Sequence, residues 1–325
     1  MKQLLIFPLI FFIATALHAR QQQDTVFRFL TLSPDARTAG LGGSHAALLS
    51  PGASAFSINP ALLNSSDPGI IQLSYLNHIG DIRFGTANYA ADTPVIGGKV
   101  AASLRYLGYG GMTRYDETGR ADGSLSSGDL AITLGYAAPI ENQLSYGLSV
   151  TGIHSNIAGY RSSGISVSGG LLYEFASSET AIGAYLQNAG TQLSTYNGSA
   201  EPLPLNIAAG VVHRLQYIPV RLHLTFQRLN TWNQRVTGET EEPDFLSNLS
   251  RHLVGGAELL FGERVQLRLG YDSWLGDQTQ TGKRIDGAGL SVGVGLQLNN
   301  IDVDFSRTSF SDMGSVVQLG VAFSI

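Results

Sequence analysis

The stretch that decides the fold is Val220-Arg221-Leu222-His223-Leu224-Thr225-Phe226-Gln227. A strand points successive side chains to opposite faces, so one face here is Val, Leu, Leu, Phe and the other is Arg, His, Thr, Gln. The same alternation returns at Val265, Leu267, Leu269 and Tyr271 against Gln266, Arg268, Gly270 and Asp272. It returns again at Leu144, Tyr146, Leu148 and Val150 against Ser145, Gly147, Ser149 and Thr151. A soluble sandwich needs an apolar inward face, where Arg and Asp are costly. A barrel with lipid outside and water or a plug inside accepts both faces as they stand.

Composition agrees. Charged residues are 14% of the 325, against roughly a quarter in ordinary soluble proteins. Past the N-terminus no run approaches the roughly 18 apolar residues of a membrane helix, which excludes a helical membrane protein. The 39 Gly, 13 Tyr and 14 Phe suit many strands, tight turns and aromatic girdles. A net charge of -5 gives no reason to expect a nucleic-acid partner. Without Cys there is no disulfide, thiol catalysis or lipid attachment at a cysteine. Lys2, the apolar run Leu4 to Ala16 and the small Ala19 read as a secretory signal over residues 1–19. A cleaved signal followed by lipid-facing strands points to the bacterial outer membrane, because only a closed barrel satisfies its backbone in hydrocarbon without helices.

Residues 20–68 lack strand alternation and are expected to fold as an N-terminal plug, with a short helix near Ser44 to Leu49. Residues 69–325 are expected to form an all-β, antiparallel transmembrane barrel of about fourteen strands, from Ile70–Asn77 to Gly314–Ile325. The connections alternate between short and long, as periplasmic turns and outside loops do, which puts both termini in the periplasm. Thr180–Gln187 is expected as a short strand, with Ser155–Ser163 and Asn188–Leu203 as loops. Trp232 and Trp274 fall just past the same predicted end and read as an interface girdle.

No catalytic site emerges, so the protein is expected not to be an enzyme, and no cofactor or metal is expected. A serine–histidine lipase would need an activated serine, and no serine here has a motif that selects it. Arg105, Arg221, His223, Glu258, Arg268, Asp302 and Asp304 are expected in the lumen as a charged network that pins the plug. The acidic run Glu239, Glu241, Glu242 and Asp244 reads as a solvated loop. Gly97-Gly98-Lys99 lacks the spacing of a phosphate loop. Gly169-Gly170 and Gly255-Gly256 would permit strand kinks or close packing.

Within the plug, Asn59-Pro60-Ala61 resembles the hatch motif of the FadL family, fourteen-stranded barrels that pass hydrophobic molecules. Phe27-Arg28-Phe29-Leu30-Thr31-Leu32, Ala36-Arg37 and Gly40-Leu41-Gly42-Gly43 resemble the start of the PorV/PorQ family, FadL-like proteins of the type IX secretion system. That resemblance continues through Tyr75-Leu76-Asn77, Asp116-Glu117-Thr118-Gly119, Asn188–Leu193 and Glu201–Pro204, most of the chain. It departs at Leu32-Ser33-Pro34-Asp35, where the family commonly has proline directly after the leucine and serine before Ala-Arg. The resemblance implies a barrel that holds a PorZ-like surface protein beside PorU and PorV. That attachment complex links secreted cargo to anionic lipopolysaccharide. The alternative is a FadL-type channel for hydrophobic small molecules. Loop segments Tyr109–Asp116, Asn188–Tyr196 and Trp232–Asp244 are the expected docking surface.

Overall fold

The computed structural model describes residues 25–94, 97–262, 264–281 and 286–324. The expected export signal, 1–19, and residues 20–24 of the expected plug lie outside them. In chain order the strands are β1 (Ile70–Asn77), β2 (Arg83–Asp92), β3 (Lys99–Gly108), β4 (Met112–Tyr115), β5 (Ala121–Leu125), β6 (Gly128–Pro139), β7 (Leu144–Ile157) and β8 (Tyr160–Phe175). Then come β9 (Thr180–Ser194), β10 (Asn206–Arg214), β11 (Val220–Phe226), β12 (Leu253–Phe261), β13 (Val265–Asp272), β14 (Leu290–Leu298), β15 (Ile301–Ser309) and β16 (Ser315–Ser324). β4 and β5 form a separate hairpin in one loop, and the other fourteen close into an antiparallel barrel. Closure runs through β1 and β16, where the outward pairs Leu73↔Val321 and Tyr75↔Leu319 face each other.

The alternation read from the sequence is the alternation of the wall. Leu148, Val150, Leu222, Leu224, Leu267 and Leu269 are exposed on the outside, while Ser149, Thr151, His223, Thr225 and Arg268 are buried inside. An apolar belt around a closed, fully paired sheet is the form in which strands cross a membrane. Connections at one end are short, such as 140–143 and 299–300, and those at the other include 109–127, 227–252 and 273–289.

Three expectations about the wall and plug need correction. Ala158 (φ 52°) and Gly159 (φ 92°) both take left-handed backbone, so β7 and β8 join through a two-residue turn instead of a loop. β9 continues past Gln187 to Ser194 through a register shift opposite β8, so Asn188–Leu193 is wall and the loop is 195–205. No helix forms at 44–49. There the Ala46 N–H donates to Thr225 Oγ1 (3.1 Å) and its carbonyl accepts from Asn59 Nδ2 (2.7 Å), so wall and plug side chains satisfy the backbone.

The plug is built of single turns. The 3-10 turns are Arg28–Thr31, Ala53–Ser57 and Pro60–Ser65, and one short helix, α1, spans Ala36–Gly40. Asp35 caps α1 by accepting from the Thr38 N–H at 2.8 Å. Asn59 accepts from the Ala61 N–H at 3.0 Å, and Pro60 occupies the first position of its turn, where no N–H is needed. The segment crosses the whole lumen. Val26 N–H bonds Pro202 O (3.0 Å) at the long-loop end, and Asn64 bonds Ser145 (2.8 Å) near the short-turn end. The first described residues therefore sit at the long-loop end, while β16 ends at the short-turn side; the N-terminus itself, expected in the periplasm, lies outside the described residues. Plug and inner wall share the apolar core, in an upper cluster around Phe27, Phe29 and Leu30, a middle one around Leu41 and Leu62, and a lower one around Phe56 and Leu63.

Candidate functional site

The chemistry of this barrel is concentrated at the seam between plug and wall. On the β11–β15 side the seam is ionic. Glu258, fully buried on β12, receives a two-point contact from Arg37 of α1, Nε to Oε1 and Nη2 to Oε2, both 3.0 Å. Arg268 Nε on β13 adds a third bond to Oε1 at 3.0 Å, and His223 Nε2 on β11 lies 3.2 Å from Oε2. Arg221 approaches Oε2 at 3.7 Å, and Arg268 bridges on to Asp304 of β15. Register explains the gathering: Arg221 and Arg268 stand directly opposite Glu258 on the neighbouring strands. Arg37 also donates to the carbonyls of Ser50 (2.6 Å) and Leu49 (3.0 Å), so it ties two parts of the plug to one wall carboxylate.

On the β6–β9 side the seam is steric. Strand glycines face inward, and plug atoms, mostly backbone, occupy the space a side chain would fill. A Cβ at Gly147 would sit 2.2 Å from the Pro60 carbonyl carbon, and one at Gly183 would sit 2.0 Å from Ala46 O. One at Gly170 would sit 1.8 Å from Asn59 Oδ1, while Asn59 Nδ2 donates to Ala46 O at 2.7 Å. Two glycines reach into the ionic side too: Gly270 and Gly256 accept Leu41, at 2.0 and 2.9 Å. Gly170 and Gly256, which the sequence offered as kink points or packing positions, are thus sockets for the plug.

Of the expected lumen network, Arg221, His223, Glu258, Arg268 and Asp304 come together. Arg105 does not join them. It is buried on β3 and donates to Leu30 O (3.1 Å) and Ser57 O (3.3 Å) of the plug. Asp302 is partly exposed and forms none of the ion pairs described here. The plug residues each have a seat. Ala36 lies against Gly320 of β16, Gly40 against Gly293 of β14, and Ala61 is fully buried. Gly42 (φ 95°), against the Tyr271 backbone of β13, and Gly43 (φ 131°) follow α1 in backbone that other residues rarely adopt. The sequence reading missed Asp35, which accepts from Thr38 and Ser54, and missed the sockets altogether. Their signal was present: Gly147 and Gly270 occupy inward positions of an alternating strand.

Above the wall, loops 227–252 and 273–289 fold into a cap. It carries helices α2 (Phe245–Arg251) and α3 (Ser273–Thr279). Arg251 Nη1 and Nη2 meet Glu239 at 2.7 and 3.1 Å, and Nε meets Asp277 at 2.8 Å. The hydrogen bond from Arg251 holds the Glu239 carboxyl below its usual range, and the Ser247 hydroxyl does the same for Asp244, the α2 cap. Trp232 stacks on His252 (5.1 Å, 16°), and the Arg228 guanidinium lies 5.4 Å over the Trp274 ring. Trp274 follows the end of β13 by two residues and Trp232 the end of β11 by six, both on the long-loop side.

Among solved structures the chain is similar to the toluene transporter TodX of Pseudomonas putida (15% identity, TM-score 0.55, 90% of this chain and 97% of that one). It is also similar to the monoaromatic hydrocarbon channel CymD (15%, 0.54, 91% and 98%). A FadL homologue of Pseudomonas aeruginosa shares 11% identity at a TM-score of 0.52, over 93% and 99% of the two chains. The fold is therefore that of the FadL-type outer-membrane transporters. No family model matches the sequence, and no curated protein matches it.

Proposed function

We propose that this chain is a non-enzymatic FadL-type barrel of the bacterial outer membrane, exported with a cleaved signal peptide, that serves as a fixed platform for a surface partner. The observation that carries this reading is the filled upper lumen. Val26, Phe27, Phe29 and Leu30 of the plug pack against Leu76, Phe84, Leu107 and Ile153 of the wall, where an apolar ligand would otherwise sit. A rigid scaffold that holds loops at one level suits binding. The resemblance to the PorV/PorQ family supplies the partner: a PorZ-like protein, beside PorU and PorV, in the complex that attaches cargo to anionic lipopolysaccharide. The docking surface is the cap and the β4–β5 hairpin, with loop 195–205.

A second reading, a channel for hydrophobic small molecules, has the comparisons on its side, since the similar structures are hydrocarbon channels and transporters by name. In that case Phe27 and Phe29 would have to leave their seats to admit a ligand. One experiment separates the two. The tagged protein is drawn from gently solubilised outer membranes and its companions identified. A stoichiometric surface protein, lost when 227–252 or 109–127 is shortened, supports the platform. A barrel recovered alone with apolar small molecules bound, from cells whose hydrocarbon uptake needs it, establishes the channel instead.

A further inference from the structure

Three arginines of the described residues are almost fully buried: Arg105, Arg251 and Arg268, at 4%, 6% and 5% exposure. Two of them meet carboxylates twice over, Arg251 on Glu239 and Asp277, Arg268 on Glu258 and Asp304. Arg105 has no carboxylate partner among the described residues. Its Nη1 and Nη2 donate to Leu30 O and Ser57 O, two neutral carbonyls, and its Nε–H has no acceptor. A guanidinium stays charged at any ordinary pH, and a buried charge is costly unless something of opposite sign meets it.

Its surroundings are prepared for a further group. Ser57 Oγ and Ser103 Oγ are buried hydroxyls without a partner among the described residues. Ser103 precedes Arg105 by two residues on β3 and so shares its inner face, opposite Asn88 of β2. Ser57 is the same plug residue whose carbonyl Arg105 holds. One permanent cation and two hydroxyls without a partner among the described residues thus belong to the same region of the boundary between wall and plug. Asn88 Oδ1, an acceptor, is also unpartnered there, and the Ser103 hydroxyl or a water can serve it.

We propose that Arg105, Ser57 and Ser103 form a binding site for a small inorganic anion of chloride size. The anion would supply the missing negative charge and close a clamp in which one wall residue holds the upper turn at Leu30 and the middle turn at Ser57. Either reading of the function accommodates it, because it concerns how the plug is seated.

The test uses the full barrel in detergent, with chloride, bromide or gluconate at one ionic strength, and follows the temperature at which the folded form is lost on heating. The expected result is a transition several degrees higher in chloride and bromide than in bulky gluconate. Arg105→Gln should remove that dependence. If it does not yield a folded barrel, Arg105→Lys, which keeps the charge and drops the Nε donor, should need roughly tenfold more chloride for half the effect. Crystals grown in bromide should show an anomalous peak within hydrogen-bonding reach of the Arg105 Nε. Equal transitions in all three salts, an undiminished dependence in both variants, or only a water at that position would overturn the proposal.

Discussion

The two sides of the seam hold the same plug by different physics. On the β11–β15 side, four basic side chains converge on Glu258, and each long side chain can shift to keep a partner. On the β6–β9 side, the Asn59 side chain and the backbone of Pro60 and Ala46 rest in notches left by Gly170, Gly147 and Gly183. Charge supplies energy and tolerates small displacements. The notches supply position and tolerate almost none. A plug that must sit at one depth and one rotation uses both.

The largest loss is expected when the ionic side is left with unopposed charge. Glu258→Gln takes from Arg37 the carboxylate it pairs with and leaves Arg268 with Asp304 alone, which costs about 3–5 kcal/mol. The midpoint of heat-induced loss of the folded barrel should fall well below that of the native chain. A variant that melts with the native protein would show that the ion pairs do not hold the plug.

On the steric side, Gly147→Ala places a methyl against the Pro60 carbonyl and should cost about 1–3 kcal/mol or more through overpacking. Its sharper readout is ionic leak across planar bilayers, since an unseated plug opens the lumen. Gly152→Ala on the same strand, with open space around the new Cβ, is the control and should neither leak nor melt early. Leak in both variants would make the effect one of the strand and not of the socket. Asn59→Ala keeps the notch but removes the bonds to Ala46 O and the Ala61 N–H, and should cost about 1–3 kcal/mol without leak.

The smallest effect lies outside the seam. Glu239 and Asp244 of the cap have carboxyls held below their ordinary range, by Arg251 and Ser247 respectively. A lowered folded-state pKa gives stability that is present above the unfolded value, about 4, and is lost as pH falls through the folded value. The protection of 239–251 against hydrogen exchange, relative to the unfolded chain at each pH, should therefore stay constant from neutral pH to about 5 and fall only below about 4, while that of the wall is unchanged. Cap and wall loosening together would contradict the separation drawn here.

Much of this was legible in the sequence, and unevenly so. All fourteen wall strands follow from period-two patterning, because lipid outside and polar lumen inside impose opposite demands on alternate residues. Val220–Phe226 and Val265–Asp272 fit within a residue or two. The errors fall where patterning is silent. The Ala158-Gly159 turn lacks the usual Asn-Gly signal, and the second half of β9 reads as loop because its alternation is broken at the register shift. Arg105 was grouped with the lumen charges because a sequence shows which face a residue takes, not how far around the barrel it stands. Asp302 shares strand and face with Asp304 but stands two residues nearer the short-turn end, a difference of height that the alternation does not resolve.

The sequence by itself determined the class of the protein: a barrel wall, its strand number, its inside and its outside, and a separate segment before it. Each of those is a local demand, set by neighbours two residues away. Only the tertiary structure decided that Arg37 meets Glu258 across 221 residues, that inward glycines are sockets, and that Val26 lies at the long-loop end of the lumen. Those are relations between distant parts of the chain, fixed when the barrel closes and its register brings strands β6 to β15 around the plug, and local patterning holds no record of them.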